Sequence, residues 1–423
     1  MSIRQLFLIS SLALACQAHA QADRSLTLGQ TLQAARNNLD VALARHALTA
    51  SQADITAANH APLPVLTAKM SAIDLQNGVG GGNVLRDKRI DKSIGLDWTW
   101  ERGNKRELRT LAAQRAADAA KADVDDVQTQ QLLAAHAAYF DLLAAQERLE
   151  QVSAIERSAA QLATTAARRV RAGDLAAQDE ARTSIEAQRA LADVQAAQLE
   201  RQRAALALAL IIGREGDAGA LTARGDWPAL DAAAASPADF AALVDARPEV
   251  RAAQARVQAA QAVRDGTEAL KRNDITWGAS LDHYPGTSTR LLELRLQMPL
   301  QWGYSYQGEI GRAQAQYAQA QDALEKTRRA AGNEMLRLQQ EAMSSAQRAQ
   351  GYQGGILPRA RQVAESAETA YNKGALSLTD LLDARRTLRA TQLDALDART
   401  DFAKAAGAWQ LRTRPEALLA PTP

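Results

Sequence analysis

The chain has 423 residues, 94 of them alanine and only 4% aromatic, with 50 Lys and Arg against 48 Asp and Glu. Alanine is the best helix former and gives close, thin helix contacts, so the composition favours helix packing over the bulky core of an ordinary enzyme. Balanced charge gives no electrostatic case for nucleic-acid binding, the few Gly and Pro exclude a disordered or collagen-like chain, and no run of about 18 apolar residues exists to cross a bilayer as a helix.

Residues 1–20 read as a secretion signal. Arg4 is its positive start, Leu6 to Ala15 its apolar stretch, and Ala18-His19-Ala20 a small-x-small cleavage site that leaves Gln21 first in the mature chain. The one cysteine, Cys16, lies in the removed piece. A rival reading makes Cys16 a lipidated N-terminus, although Ala13-Leu14-Ala15 before it is atypical for that signal. Either way the protein leaves the cytoplasm and uses no disulfide.

A first structural repeat is predicted over 21–213. Ile94, Leu96, Trp98 and Trp100 alternate with Ser93, Gly95, Asp97, Thr99 and Glu101, and Val65 to Leu75 alternates less cleanly. Period two with one apolar face predicts strands over about 63–75 and about 92–102, joined by a Gly-rich loop from Gln76 to Asp91. Gly103 and Gly173 then bracket a proline-free stretch rich in Ala, Gln, Arg, Glu and Leu. It predicts one helix over about 104–172, about 100 Å long at 1.5 Å per residue. Leu132, Ala135, Tyr139, Leu142, Gln146 and Leu149 form its coiled-coil seam.

Gly/Asp-rich residues 214–239 link this repeat to a second over 240–411, and 412–423 is a tail. Ile275, Trp277, Ala279 and Leu281 alternate with polar or small neighbours, as do Leu292, Leu294, Leu296, Met298, Leu300 and Trp302. These predict strands over about 273–284 and about 289–302. A second long helix is predicted over about 305–373, disturbed at Pro358 and at Gly351, Gly354 and Gly355. In each repeat two shorter helical segments (Leu28 to Asn59 and Asp174 to Gly213; Phe240 to Lys271 and Ala375 to Leu411) together match the length of the long helix. Gly173 and Gly374 sit where a hairpin tip needs positive φ.

The repeat rests on ordered matches. Ala35-Arg36-Asn37-Asn38-Leu39 resembles Ala246-Arg247-Pro248-Glu249-Val250, Trp100-Glu101-Arg102-Gly103 resembles Leu300-Gln301-Trp302-Gly303, and Arg171-Ala172-Gly173-Asp174-Leu175 resembles Asn372-Lys373-Gly374-Ala375-Leu376, at offsets of 211, 200 and 201. Strands of about ten residues have the length of tilted barrel strands, and Trp98, Trp100, Trp277 and Trp302 gather on them as membrane-interface aromatics do. A half-buried soluble sheet would alternate in the same way. Four strands alone leave edges that lipid cannot satisfy, so the membrane reading requires several chains closing one barrel.

The duplicated helix–strand–strand–helix–tip–helix order, the signal segment and the stretch Ala370-Tyr371-Asn372-Lys373-Gly374-Ala375-Leu376-Ser377-Leu378-Thr379-Asp380-Leu381-Leu382-Asp383-Ala384 resemble the TolC-like outer-membrane efflux protein family. Arg171 to Ala181, with Gly173 and Asp179, is the first-half counterpart. The resemblance implies a mainly α fold with a membrane β-barrel. A homotrimer would form a 12-stranded barrel in outer-membrane lipid, continuous with a long periplasmic α-helical barrel. It also implies no catalysis and no cofactor, a periplasmic adaptor on the helical tips and an inner-membrane RND-type pump that supplies the energy. By motif position, Asp380 and Asp383 would ring the closed periplasmic mouth, and Tyr371 would bond towards Asp179. The bland reading of Asp380 is helix capping, and Tyr371 could simply pack. The basic residue that some members carry after the second tip glycine is replaced by Leu376. The tips Gly173, Leu175, Gly374 and Leu376 are the expected adaptor contacts, or else they only build turns.

Other chemistry has little support. His46, His60, His136 and His283 lack a second ligand at metal spacing. Gly78-Val79-Gly80-Gly81-Gly82 lacks the Lys-Ser/Thr of a phosphate loop and reads as part of an extracellular loop. The run Arg168-Arg169-Val170-Arg171 is a solvated helix face or an adaptor contact. Ile356-Leu357-Pro358-Arg359-Ala360 leading into Ala375 to Arg386 is most similar to the outer-membrane component of cobalt–zinc–cadmium exporters. The expected function is a metal-export duct. Drug or solute efflux and type I secretion are alternatives within the class, and a non-transporting periplasmic coiled coil is the alternative outside it.

Overall fold

The computed structural model describes residues 25–84, 87, 89–230, 239–285, 287–414 and 416, with Thr289 described in backbone only. The predicted secretion signal with Cys16, residues 231–238 of the linker and most of the tail lie outside the described residues. In chain order the elements are β1 (Ser25–Leu26), α1 (Leu28–Ala35), α2 (Leu39–Ala58), β2 (Val65–Ser71), β3 (Asp91–Trp100), α3 (Lys105–Arg171), α4 (Ala177–Ile212), β4 (Thr222–Ala223), α5 (Phe240–Ala246), α6 (Pro248–Glu268), β5 (Ile275–Tyr284), β6 (Ser288–Gln297), α7 (Gln307–Gly351), α8 (Leu357–Asn372) and α9 (Leu378–Thr413). The chain is mostly helical and forms two compact units. One comprises residues up to Leu43, Asp125–Val244 and Ala330 onward, and the other Ala44–Val124 and Asp245–Arg329.

The first unit is helical. Leu26, Tyr139, Phe140, Leu142, Leu208, Ile212 and Leu221 pack with Ala138, Ala205, Ala209 and Ala403. Alanine at the contacts lets backbones approach closely, so few large side chains fill the centre. β1 and β4 pair in parallel. The Gln146 amide extends that ladder by donating to the Ala223 carbonyl (2.9 Å) and accepting from the Ala223 N–H (2.8 Å). The Tyr139 hydroxyl donates to the Arg224 carbonyl at 2.8 Å. The segment after Gly213 is thus fastened to the core, with Leu221 fully buried.

His136 is also buried here, its ring 4.9 Å from that of Phe140. It fits because residue 407 is glycine, where an added Cβ would overlap the imidazole. Burial lowers its pKa to about 4, so the ring is neutral at pH 7.

Between α7 and α8, Tyr352–Ile356 form a π turn. The expected disturbance from the glycines and Pro358 takes this form and not a break. The wider turn accommodates the missing N–H and the ring of Pro358, which falls in the first turn of α8.

The second unit carries an antiparallel sheet in the order β2-β3-β5-β6. Two strands are shorter than their alternation predicts. β2 ends at Ser71 because Ala72 takes a positive φ of 57°, which leaves the extended region. β6 ends at Gln297, before Pro299, which has no N–H to give a ladder. The outer edges of β2 and β6 have no strand partner among the described residues. No described helix is long and apolar enough to cross a membrane.

Candidate functional site

The sheet wears its polarity in reverse. The register aligns Leu66, Leu96, Ala279 and Leu294 in one row, Ala68, Ile94, Leu281 and Leu292 in another, and Trp98, Trp277 and Leu296 in a third. All three rows lie on one face, because side chains alternate. That face is exposed: Trp98 by 63%, Trp277 by 54% and Leu294 by 77%. The other two expected interface aromatics, Trp100 and Trp302, are exposed as well. The opposite face is polar, yet Ser280 and Asp282 on it are buried. Thr99 and Thr276 hydroxyls bond across it at 2.9 Å. Arg295 on β6 reaches over β5 to Asp97 on β3 at 2.7 Å. Gly278 lies between them in register, and any Cβ there would overlap the Asp97 carboxylate.

In the helical unit the two predicted tips have one geometry. After α3, the Asp174 N–H bonds the Arg169 carbonyl (2.9 Å) and Gly173 has φ 81°. After α8, the Ala375 N–H bonds the Ala370 carbonyl (2.9 Å) and Gly374 has φ 72°. Both are helix ends closed through a left-handed glycine. The helices that follow start differently. Ala176 precedes α4 and gives no side-chain cap, whereas α9 is capped by Ser377, whose hydroxyl accepts from the Asp380 N–H (3.2 Å) and donates to the Asp380 carboxylate (2.6 Å). Asp380 is therefore part of a cap, and it is exposed, as is Asp383.

Tyr371 and Asp179 are not brought together. The Tyr371 hydroxyl accepts from Arg169 at 3.4 Å, and Asp179 lies 3.8 Å from Arg182. Leu376 packs against a cluster of Ala367, Leu378, Leu381 and Leu382, whereas Gly173 and Gly374 stand exposed and Leu175 is half-buried.

Sequence reasoning missed the ion pairs that tie α9 to its neighbours. Arg386 pairs with Glu186 and Arg389 with Asp193, both on α4, and Arg182 donates to Thr379 at 3.0 Å. Farther along, Arg148 pairs with Asp397, Arg399 with Glu147, and Lys404 with Asp141 at 2.7 Å. One signal was available. The three contacts to α4 join residues 200, 196 and 197 apart, close to the offset between the motifs of the two halves.

A family profile described as outer membrane efflux protein matches residues 30–214 and 242–408. The cobalt-zinc-cadmium resistance protein CzcC of Cupriavidus metallidurans is 27% identical over 288 residues, 68% of each chain. Among solved structures, a membrane protein from Pseudomonas aeruginosa aligns with TM-score 0.78 at 18% identity, covering 91% of this chain and 93% of its own. The CmeC outer membrane channel of Campylobacter jejuni aligns with TM-score 0.78 at 14% identity, covering 91% and 85%. At these identities the structural likeness speaks to fold.

Proposed function

The chain belongs to the outer membrane efflux protein family, whose members are transport ducts and not enzymes, and we propose that it is the outer-membrane duct of a tripartite exporter of divalent heavy-metal cations. The observation that carries the duct reading is the reversed sheet. An exposed face of Leu and Trp suits lipid, and an opposite face of Ser, Asp and Arg suits a water-filled interior. Strands of ten residues, tilted by about 45°, match the hydrocarbon thickness. The unpaired edges of β2 and β6 call for further copies of the chain, and three copies at four strands each make a 12-stranded barrel.

The helical unit supports the same assembly. Ile185, Leu199 and Leu206 on α4, Leu336 and Met343 on α7, and Ile356 at the end of the π turn with Val363 on α8 are exposed at heptad spacing. Such lines are seams that want a helix against them. In this reading the helices line a periplasmic passage, an adaptor grips the tips at Gly173, Leu175, Gly374 and Leu376, and an RND-type pump in the inner membrane drives transport. The metal cargo is supported by the name of the CzcC relative. A duct need not bind what it passes.

At the mouth, Asp380 and Asp383 of three chains would gather six carboxylates that attract cations and narrow the closed passage. Replacing both by alanine is expected to raise single-channel conductance in a planar bilayer, and unchanged conductance would leave Asp380 with its capping role alone. The cargo is tested by growth of a deletion strain on cobalt, zinc, cadmium, nickel and copper beside dyes, detergents and antibiotics. Sensitivity to the metals alone is expected. Sensitivity to organic compounds without a metal effect would keep the duct and move its cargo to organic solutes.

A further inference from the structure

The lipid-facing side of the sheet, in the barrel reading, ends in a row of basic side chains at its hairpin end. In register, Met70 stands beside Lys92 and Lys92 beside His283. Arg290 precedes Leu292, the partner of Leu281, by two residues. Alternation puts Lys92 and His283 on the face of Ile94, Leu281 and Trp98, and Arg290, two residues before Leu292, stands opposite His283 where the β5–β6 register shifts between Asp282 and Tyr284. From there to the Trp98–Trp277 pair, every row on that face is apolar. Lys92 and Trp98 are six residues apart, about 20 Å along a strand. The acidic residues nearest in register, Asp91, Asp282 and Glu293, alternate onto the opposite face. Arg290 is exposed, and the Lys92 ammonium nitrogen is buried without a hydrogen-bond partner among the described residues.

A cation is costly in hydrocarbon and settles where it ends. The anions at that level are headgroup phosphates. An amphiphile with a phosphorylated head and long acyl chains matches the whole pattern: phosphate on the cationic row, chains over Ile94, Leu281 and Leu292. We infer that Lys92, Arg290 and His283 form a binding site for phosphate groups of an outer-leaflet lipid. The inference rests on the barrel reading.

The test is native mass spectrometry of the full-length trimer in detergent, titrated with bisphosphorylated lipid A, dephosphorylated lipid A and inorganic phosphate. The bisphosphorylated lipid should bind at least tenfold more tightly than the dephosphorylated one. The double variant Lys92→Gln/Arg290→Gln should lose about tenfold or more, and Lys92→Arg/Arg290→Lys should keep binding. Lys69→Gln removes a charge at the same end of the sheet but on the other face, opposite Ser93, and should bind as wild type. Equal binding of the two lipids, or wild-type binding by the double variant, overturns the site. Inorganic phosphate that displaces the lipid at its own concentration makes it a free-anion site and overturns the lipid assignment. Each sample is also run unheated on a denaturing gel. A wild-type chain that gives no trimer there defeats the barrel reading itself and this inference with it. If the double variant fails to assemble, Arg290→Gln alone, at an exposed position, decides.

Discussion

The helical unit and the sheet of this chain place their apolar side chains in opposite ways. In the helical unit Tyr139, Phe402, Leu142 and Leu208 are buried and the charged pairs of α9 lie outside them. In the sheet Trp98, Trp277, Leu281 and Leu294 stand outside while Ser280 and Asp282 are buried. The hydrophobic effect drives apolar groups away from water, not towards the middle of a protein. Under the outer-membrane reading proposed above, such a chain serves two solvents, water around its helices and lipid against its sheet.

The strongest way to break that comparison is to put a charge on the exposed sheet face. Leu294→Arg is expected to cost about 2–4 kcal/mol of stability in a bilayer, read as a lowered urea midpoint for folding into vesicles, with Leu294→Met close to neutral as the control. Wild-type stability for the arginine variant would mean that the sheet faces water and that the two units obey one rule.

The helical unit has its own probe in His136. Its pKa falls from 6.5 in the unfolded chain to about 4 in the fold. The unfolded state therefore binds more protons between those values. The contribution to stability is full above about pH 6.5 and is lost as pH falls towards 4, on the order of 3 kcal/mol in all. Helical circular dichroism should show a lower melting temperature at pH 5 than at pH 7, and His136→Leu should shrink that difference. An unchanged pH dependence in the leucine variant would assign the effect to other groups.

The smallest effect separates the two tips. Ser377→Ala should cost about 1 kcal/mol, and Ala176→Ser at the uncapped counterpart should gain up to about as much. Hydrogen exchange in the first turns of α9 and α4 would register both. Equal protection before and after would show that the tips are held by packing and not by their caps.

What the sequence reveals follows from what has a period. The alternation at Ile94, Leu96, Trp98 and Trp100 falls on β3, and the seam residues Leu132, Ala135, Tyr139 and Leu142 are buried on α3. Both are patterns of spacing, which a single chain records. Spacing does not record sign: the same alternation serves a sheet with its apolar side in or out. Nor does it record partners across the fold. Nothing in the spacing of Arg386 and Arg389 shows that α4 brings Glu186 and Asp193 to them. His136 gave no signal, because its burial depends on Gly407 far along the chain. The motif that points to Tyr371 and Asp179 did not disclose that Arg169 would take the tyrosine hydroxyl.

The open edges of β2 and β6 have a consequence for biogenesis. Under the barrel reading proposed above, a lone subunit would carry two unsatisfied ladders beside a broad greasy surface until its neighbours arrive, the combination that promotes aggregation. Completion needs several molecules to meet, so its rate rises steeply with their concentration, whereas off-register pairing of edges needs only two. Under that reading, overproduction that outruns assembly should yield inclusion bodies before it yields more channels.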